Sequence, residues 1–119
     1  MKVEREFFPT HDMPWQPSTQ AGVMERVLSR DEGDPEIMTR LARWEPGTDT
    51  SAAGVITHGY LEEVYIVDGA LHDLTLDRTF RAGEFAARRP GMRHGPYRTD
   101  EGCVMLETRY RAWTEGTKT

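Results

Sequence analysis

Two histidines and a glutamate in the middle of the chain are suited to bind one metal ion. His58 and Glu62 lie four residues apart, and His94 follows about 30 residues later. Glycines beside them, such as Gly54 and Gly69, predict turns that would place the three side chains at strand ends. Neutral imidazole and carboxylate are good ligands for Fe, Mn, Ni, Co or Zn, and two His plus one carboxylate leave positions open for substrate or dioxygen. The pattern predicts a divalent metal site inside a small β-barrel.

The elements that must position these residues are short strands separated by turn residues. Turn signals recur every eight to twelve residues, which is typical of an all-β sandwich or barrel with little helix. Segment 102–113 is expected to be the longest strand, with Met105, Glu107 and Arg109 on one face. A hairpin is expected to turn at Asp77-Arg78. The predicted strands are 23–29, 37–44, 55–58, 64–67, 70–76, 79–81, 84–88 and 102–113.

The chain of 119 residues has room for one hydrophobic core and therefore for one domain. Residues 1–22 are predicted to form an extended arm, because Pro9, Pro14 and Pro17 occur there, with Trp15 as its anchor. The domain itself is predicted to comprise residues 23–119.

Composition excludes several classes of function. The net charge of −5 argues against nucleic acid, whose phosphates favour a basic face. No segment approaches the ~18 apolar residues of a membrane span. The single cysteine, Cys103, cannot form an internal disulfide, and its apolar neighbours predict a buried, inert thiol. These features favour a cytoplasmic protein.

Two segments resemble the paired motifs of the cupin superfamily of small β-barrels. The first motif reads His-x-His, three or four residues, Glu, six residues, Gly, and His58, Glu62 and Gly69 match it. The second reads Gly, five residues, Pro-x-Gly-x-x-His, and Gly83, Gly91 and His94 match it. The amino-acid sequence of both segments is similar to that of the branch that contains cupin domains of anti-sigma factors and dihydroxyacetophenone-dioxygenase-like proteins. The resemblance implies a jelly-roll-like cupin barrel.

The chain departs from the family pattern at one ligand. Ile56 stands where the first His of the motif is usual, and Arg89 and Arg98 replace the usual Pro and Asn of the second motif. The resemblance therefore implies a reduced metal site of His58, Glu62 and His94 for Fe, Zn, Mn or Ni. Three protein ligands are the norm for catalytic metals. The alternative is a barrel that has lost its metal, with both histidines as ordinary hydrogen-bonded residues.

Other polar residues are weaker candidates. Glu62 and Glu63 must face opposite sides of a strand, and the motif spacing selects Glu62 as the inward one. His72 could replace the missing ligand, although a surface strand position is the default. Four further residues would either line the barrel or face solvent: Arg40, Arg43, Tyr97 and Glu107.

The predicted function is that of a small metal-dependent enzyme acting on a small oxygenated organic molecule. With Fe(II) it would be a dioxygenase-like oxidoreductase, and with Zn, Mn or Ni a Lewis-acid isomerase or lyase. The alternatives are a non-catalytic barrel that senses a ligand or metal, similar to the cupin half of anti-sigma factors, and a metal-free binder. The family resemblance further implies a homodimer.

Overall fold

The computed structural model of the chain describes residues 1–111. Within them the fold is all-β, as predicted, with two 3-10 turns at Thr10–Asp12 and Ser51–Ala53. No helix in this range is long and apolar enough to cross a membrane. The strands are β1 (Gln16–Pro17), β2 (Val23–Arg30), β3 (Met38–Trp44), β4 (Leu61–Asp73), β5 (Arg78–Arg81), β6 (Phe85–Arg88), β7 (Tyr97–Arg98) and β8 (Cys103–Tyr110).

The strands form an antiparallel barrel organised around β4. Their hydrogen-bonded order is β1-β2-β3-β8-β4-β5, and β6 and β7 also pair with β4. The first half of β4 pairs with β6 and β8. The second half pairs with β5 and β7. Strand β4 therefore belongs to both walls of the barrel.

Strand β4 differs from the prediction, which divided it into two strands with a turn at Asp68-Gly69. The strand instead continues for 13 residues, with a register shift between Ile66 and Asp68. Gly69 has φ +80, and a Cβ there would collide with the backbone carbonyl oxygen of Gly102. The glycine thus permits a bend within one strand, since only Gly adopts positive φ without cost.

The prediction was also wrong for two other segments. Segment 55–58 is not a strand, and only Ile56 forms an isolated bridge, to His94. Strand β8 ends at Tyr110, so the longest strand is β4 and not, as predicted, the segment 102–113. Arg111 leaves the sheet and donates to the carboxylates of Asp34 and Glu36. Residues 112 and 113 of the predicted strand lie outside the described residues.

The hydrophobic core occupies only part of the barrel interior. It is a cluster of buried side chains from five strands, including Ala42, Ile66 and Met105. Along β8 the inward positions change from Cys103 and Met105 to Glu107, so the same face of one strand is apolar at one end and charged at the other. The charged part is where the candidate site lies.

The N-terminal segment packs on the outside of this barrel. Strand β1 pairs with β2. The Trp15 ring packs on two guanidinium groups of that outer face, 4.2 Å from that of Arg26 and 4.6 Å from that of Arg43. These cation–π contacts hold Trp15 against the outer surface.

Candidate metal centre

The three predicted ligands converge at one point of the interior. Glu62 is the second residue of β4, His58 lies in the loop before that strand, and His94 lies in the loop before β7. Reciprocal backbone hydrogen bonds of 2.9 and 3.0 Å fix His94 beside Ile56. One ligand atom from each of His58, Glu62 and His94 lies within 4.8 Å of the other two. This is close enough for one ion to contact all three after small side-chain rotations.

Both imidazoles are held in orientations that favour ligation. Their ring centroids are 4.8 Å apart, and His58 stacks on Tyr60 at 4.6 Å. The Nδ1 atom of His94 lies 3.1 Å from the Met92 carbonyl oxygen, so an Nδ1–H donor leaves the Nε2 lone pair free. Burial lowers the pKa of both histidines, and the charge of Arg88 lowers the pKa of His94 further. Neutral imidazole is the form that binds metal.

The Glu62 carboxylate is buried and contacts two guanidinium groups. Its Oε1 accepts a 2.9 Å hydrogen bond from Arg88, and its Oε2 accepts a 3.3 Å bond from Arg109. Glu63 faces the other side of the strand, where it accepts a bond from the Tyr110 hydroxyl. The alternation of the strand therefore places Glu62 inside, as the motif spacing predicts.

The donor set fits a divalent cation. A carboxylate offers about four lone-pair sites, so Glu62 can keep both arginine bonds and still ligate a metal. Two imidazoles and one carboxylate suit Fe, Zn, Mn or Ni. The two guanidinium groups oppose a further positive charge, which makes an accompanying anionic ligand favourable.

Glu62 is one member of a continuous set of charged side chains across the interior, which we name the interior ion-pair chain. Each carboxylate in it lies between or beside guanidinium groups, and all the side chains are largely buried. The order of contacts in the interior ion-pair chain is Glu25–Arg40–Glu107–Arg109–Glu62–Arg88. Arg88 also donates a 2.7 Å hydrogen bond to the Tyr97 hydroxyl. Three carboxylates and three guanidinium groups compensate one another, as buried charges must.

The interior ion-pair chain lines a cavity of about 540 Å³ that also contains the three predicted ligands. Of the four weaker candidates, Arg40, Tyr97 and Glu107 line this cavity. Arg43 does not. It lies on the outer face, where it contacts Trp15 and donates to Glu45. Ile56 lines the cavity at the position where the motif carries its first His.

Sequence reasoning did not identify Glu25, Arg88 and Arg109 as site residues. The alternation of β8 placed Arg109 on the same face as Glu107, and this could have indicated its inward orientation. Alternation likewise places Glu25 on the face of β2 that carries Val23 and Val27, whereas the contact of Arg88 depends on the register between β4 and β6.

His72 and Cys103 do not join the site. The two ring nitrogens of His72 lie 2.9 Å from the Thr79 hydroxyl and 3.0 Å from Asp77, within the β4–β5 hairpin. His72 therefore lies where the default interpretation placed it. Cys103 is buried as predicted, and burial raises the pKa of its thiol to about 12.

Comparison with known proteins is consistent with this geometry. The family model described as the ChrR Cupin-like domain matches residues 3–112. The chain belongs to this cupin family. None of the curated proteins matches the sequence.

Several solved cupin structures are similar to this chain in fold. An RmlC-like cupin from Shewanella frigidimarina is 17% identical, with a TM-score of 0.70 over 96% of this chain and 97% of that one. The polyketide cyclase RemF from Streptomyces resistomycificus is 16% identical, with a TM-score of 0.67 over 89% and 80%. The anti-sigma factor ChrR of Rhodobacter sphaeroides, in complex with SigE, is 22% identical, with a TM-score of 0.61 over 86% and 52%. At these identities the similarity establishes the fold alone.

Proposed function

We propose that this chain is a small metal-dependent cupin enzyme that acts on a small oxygenated organic molecule. The observation that supports this is the convergence of His58, Glu62 and His94 within 4.8 Å beside a cavity of about 540 Å³. Fe, Zn, Mn and Ni are the candidate metals, and a ligand set of this size leaves coordination positions free for a substrate oxygen.

A bound metal would supply Lewis-acid polarisation of a carbonyl or enol oxygen or, as Fe(II), dioxygen-dependent oxidation. The protein contributes the surroundings. Arg88 and Arg109 fix the Glu62 carboxylate in place. Burial raises the pKa of Tyr97, whose oxygen accepts a bond from Arg88, so its phenolic hydrogen is free to donate to a ligand oxygen. The cavity thus offers an oriented proton donor beside the metal position.

Elemental analysis of protein purified without added metal tests the metal site. We expect about one equivalent of a transition metal in the wild type and a loss of most of it in His94→Ala. His72→Ala is the matched control, because it removes a histidine that does not contact the site. A metal content of the wild type below about a tenth of an equivalent, unchanged in His94→Ala, would exclude the metal-dependent function.

Restoring the family's first histidine gives a gain-of-function test. Ile56 lines the cavity and is hydrogen-bonded through its backbone to His94, so Ile56→His adds a third imidazole, as a fourth ligand, near the other ligands. We expect its metal affinity to rise by about tenfold or more, measured by competition with a chelator. Ile56→Gln is the control for a polar residue that is a poor metal ligand. Equal affinities for the two variants would contradict the proposed ligand position.

A second candidate function is a non-catalytic barrel that senses a metal or small ligand. The match to the ChrR Cupin-like domain model and the similarity to ChrR support it. Oxygen consumption and substrate turnover separate the two functions, measured with β-diketones and hydroxyaryl ketones after loading with Fe(II) or Zn. Turnover that disappears in His94→Ala supports the enzyme. The absence of oxygen consumption and of turnover with every compound of the panel, with ligand binding retained, supports the sensor.

We also propose that the chain forms a homodimer through the outer face of β4 and β6. Tyr65, Val67 and Phe85 are large apolar side chains exposed there, and Tyr65 is the cross-strand partner of Phe85. Exposed apolar patches of this kind mark association surfaces. Sedimentation at several concentrations tests this, with Tyr65→Lys as the disrupting variant. A wild type that stays monomeric throughout would exclude the dimer.

A further inference from the structure

A second cavity of about 430 Å³ lies next to the candidate metal site and differs from the first in chemistry. Its wall is mostly apolar and includes Ile66, Leu71, Leu76, Phe80 and Met92. We name this space the apolar chamber and the cavity around the interior ion-pair chain the polar chamber. The apolar chamber has room for several carbon atoms of a ligand.

The two chambers share part of their walls. Arg88, His94 and Tyr97 line both of them. The Arg88 guanidinium bridges the Glu62 carboxylate and the Tyr97 hydroxyl at this boundary, with bonds of 2.9 and 2.7 Å. A ligand lying across the boundary would therefore meet polar groups on one side and carbon atoms on the other.

The guanidinium of Arg88 supplies a positive charge at the boundary. Arg88 is the terminal cation of the interior ion-pair chain, and the one carboxylate that it contacts among residues 1–111, Glu62, is shared with Arg109. A guanidinium has five N–H donors, of which Arg88 uses two in these bonds, so three remain for a ligand. The acidic residues of the apolar chamber do not compete: Asp73 accepts backbone N–H bonds from Thr75 and Leu76, and Glu84 accepts one from Arg81.

The apolar chamber also exposes carbon surface to water. Leu76 is 58% exposed and Met92 49% exposed, and both line this chamber. Their exposure is unfavourable in the free protein, and a ligand with an apolar body would remove it. An anchor for one anionic group and an adjoining apolar space together define an amphipathic anion.

We propose that the natural ligand is a small amphipathic anion whose carboxylate or enolate oxygens lie at Arg88 and whose alkyl or aryl body fills the apolar chamber. This extends the proposed function by naming the class of its ligand. Arg88 acts as the binding residue for the anionic group, and Leu76 and Met92 set the preference for the size of the apolar body.

Isothermal titration with a homologous series of butanoate, hexanoate and octanoate tests the inference. In the wild type we expect the dissociation constant to fall about fourfold for each added methylene, because each is transferred from water to an apolar wall. The corresponding n-alkanols should bind more weakly at equal chain length, because they lack the charge that Arg88 recognises.

Variants assign the two parts of the ligand to the two parts of the site. Leu76→Ser and Met92→Ser should reduce the dependence on chain length and leave butanoate binding nearly unchanged. Arg88→Gln should weaken all alkanoates by a similar factor and keep the chain-length dependence. Val67→Ser is the matched control, since Val67 is an apolar residue of similar exposure, 49%, on the outer surface. Circular dichroism verifies that each variant is folded.

The titrations are carried out in EDTA and again after metal loading, so that they are independent of the metal test above. A fourfold step per methylene in EDTA supports the ligand class even if the purified protein carries no metal. A dissociation constant that is flat with chain length in the wild type overturns it. A chain-length dependence that is equally strong in Leu76→Ser, in Met92→Ser and in the wild type overturns it as well.

Discussion

Glu62 and Glu63 are adjacent on β4, yet the two faces of the barrel wall give them different surroundings. Glu62 is 5% exposed and accepts hydrogen bonds from two guanidinium groups. Glu63 lies on the outer face and accepts one bond from the Tyr110 hydroxyl. The burial of a charged side chain, more than its residue type, decides how much it contributes to stability. A buried charge needs its partners, and an exposed one does not.

The ion pairs of the two faces differ in the same way. Arg40 lies between Glu25 and Glu107 at 2.7 and 2.6 Å, and its side chain is 12% exposed. Arg81 and Glu101 form a 3.3 Å pair on the outside, with side chains 67% and 58% exposed. Exposed pairs contribute ~0–1 kcal/mol, whereas loss of one partner from a buried pair costs about 3–5 kcal/mol.

The largest expected effect comes from removing the inner guanidinium of β3. Arg40→Met should lower the free energy of unfolding by about 3–5 kcal/mol, because it leaves Glu25 and Glu107 buried without a cation. Arg43→Met, on the outer face of the same strand, should cost about 1 kcal/mol through its contact with Trp15. Urea denaturation measures both values. Equal costs would mean that the inner and outer faces are solvated alike.

A smaller effect is expected from neutralising the two glutamates of β4. Glu62→Gln should lower the free energy of unfolding by about 2–3 kcal/mol, because Arg88 loses its carboxylate partner and Arg109 its nearest one. Glu63→Gln should change it by less than about 0.5 kcal/mol. Denaturation in EDTA excludes any contribution of bound metal. A Glu63→Gln cost as large as that of Glu62→Gln would contradict the distinction between the faces.

The smallest effect is a dependence of stability on pH caused by the inner histidines. Burial lowers the pKa of His58 and His94 from the ordinary value of 6.5, so the unfolded chain binds more protons just below that pH. Stability from these groups is therefore complete above about pH 6.5 and is lost as the pH falls through the lowered pKa values. Urea titrations in EDTA at several pH values between 5 and 7.5 measure this, and the double variant His58→Gln/His94→Gln should reduce the decline. An identical decline in the double variant would refute the assignment.

Local patterns in the sequence predicted much of the fold. Alternation and the turn residues identified most of the longer strands, but not the two-residue strands β1 and β7. The prediction was wrong at Gly69, since a glycine that suits a turn equally suits a bend inside a continuous strand. The backbone of Gly102, more than 30 residues away in sequence, decides between the two by its close approach.

The candidate site was predicted less completely. The motif spacing was sufficient to find His58, Glu62 and His94, whose ligand atoms come together. It gave no information on Arg88, which contacts Glu62 because β6 pairs with β4 in one particular register. Contacts of this kind depend on how strands distant in sequence are aligned, which a single sequence does not encode locally.

The continuity of β4 makes the whole interior sensitive to the length of one strand. If a single residue were inserted between Glu62 and Gly69, the side chains on one side of the insertion would change from inward-facing to outward-facing and the reverse. This follows because side chains alternate between the two faces of a strand with a period of two. Either the glutamate would turn to solvent or the glycine bend would move away from Gly102. Loops of this barrel can vary in length, but the segment from Glu62 to Gly69 has to conserve its spacing.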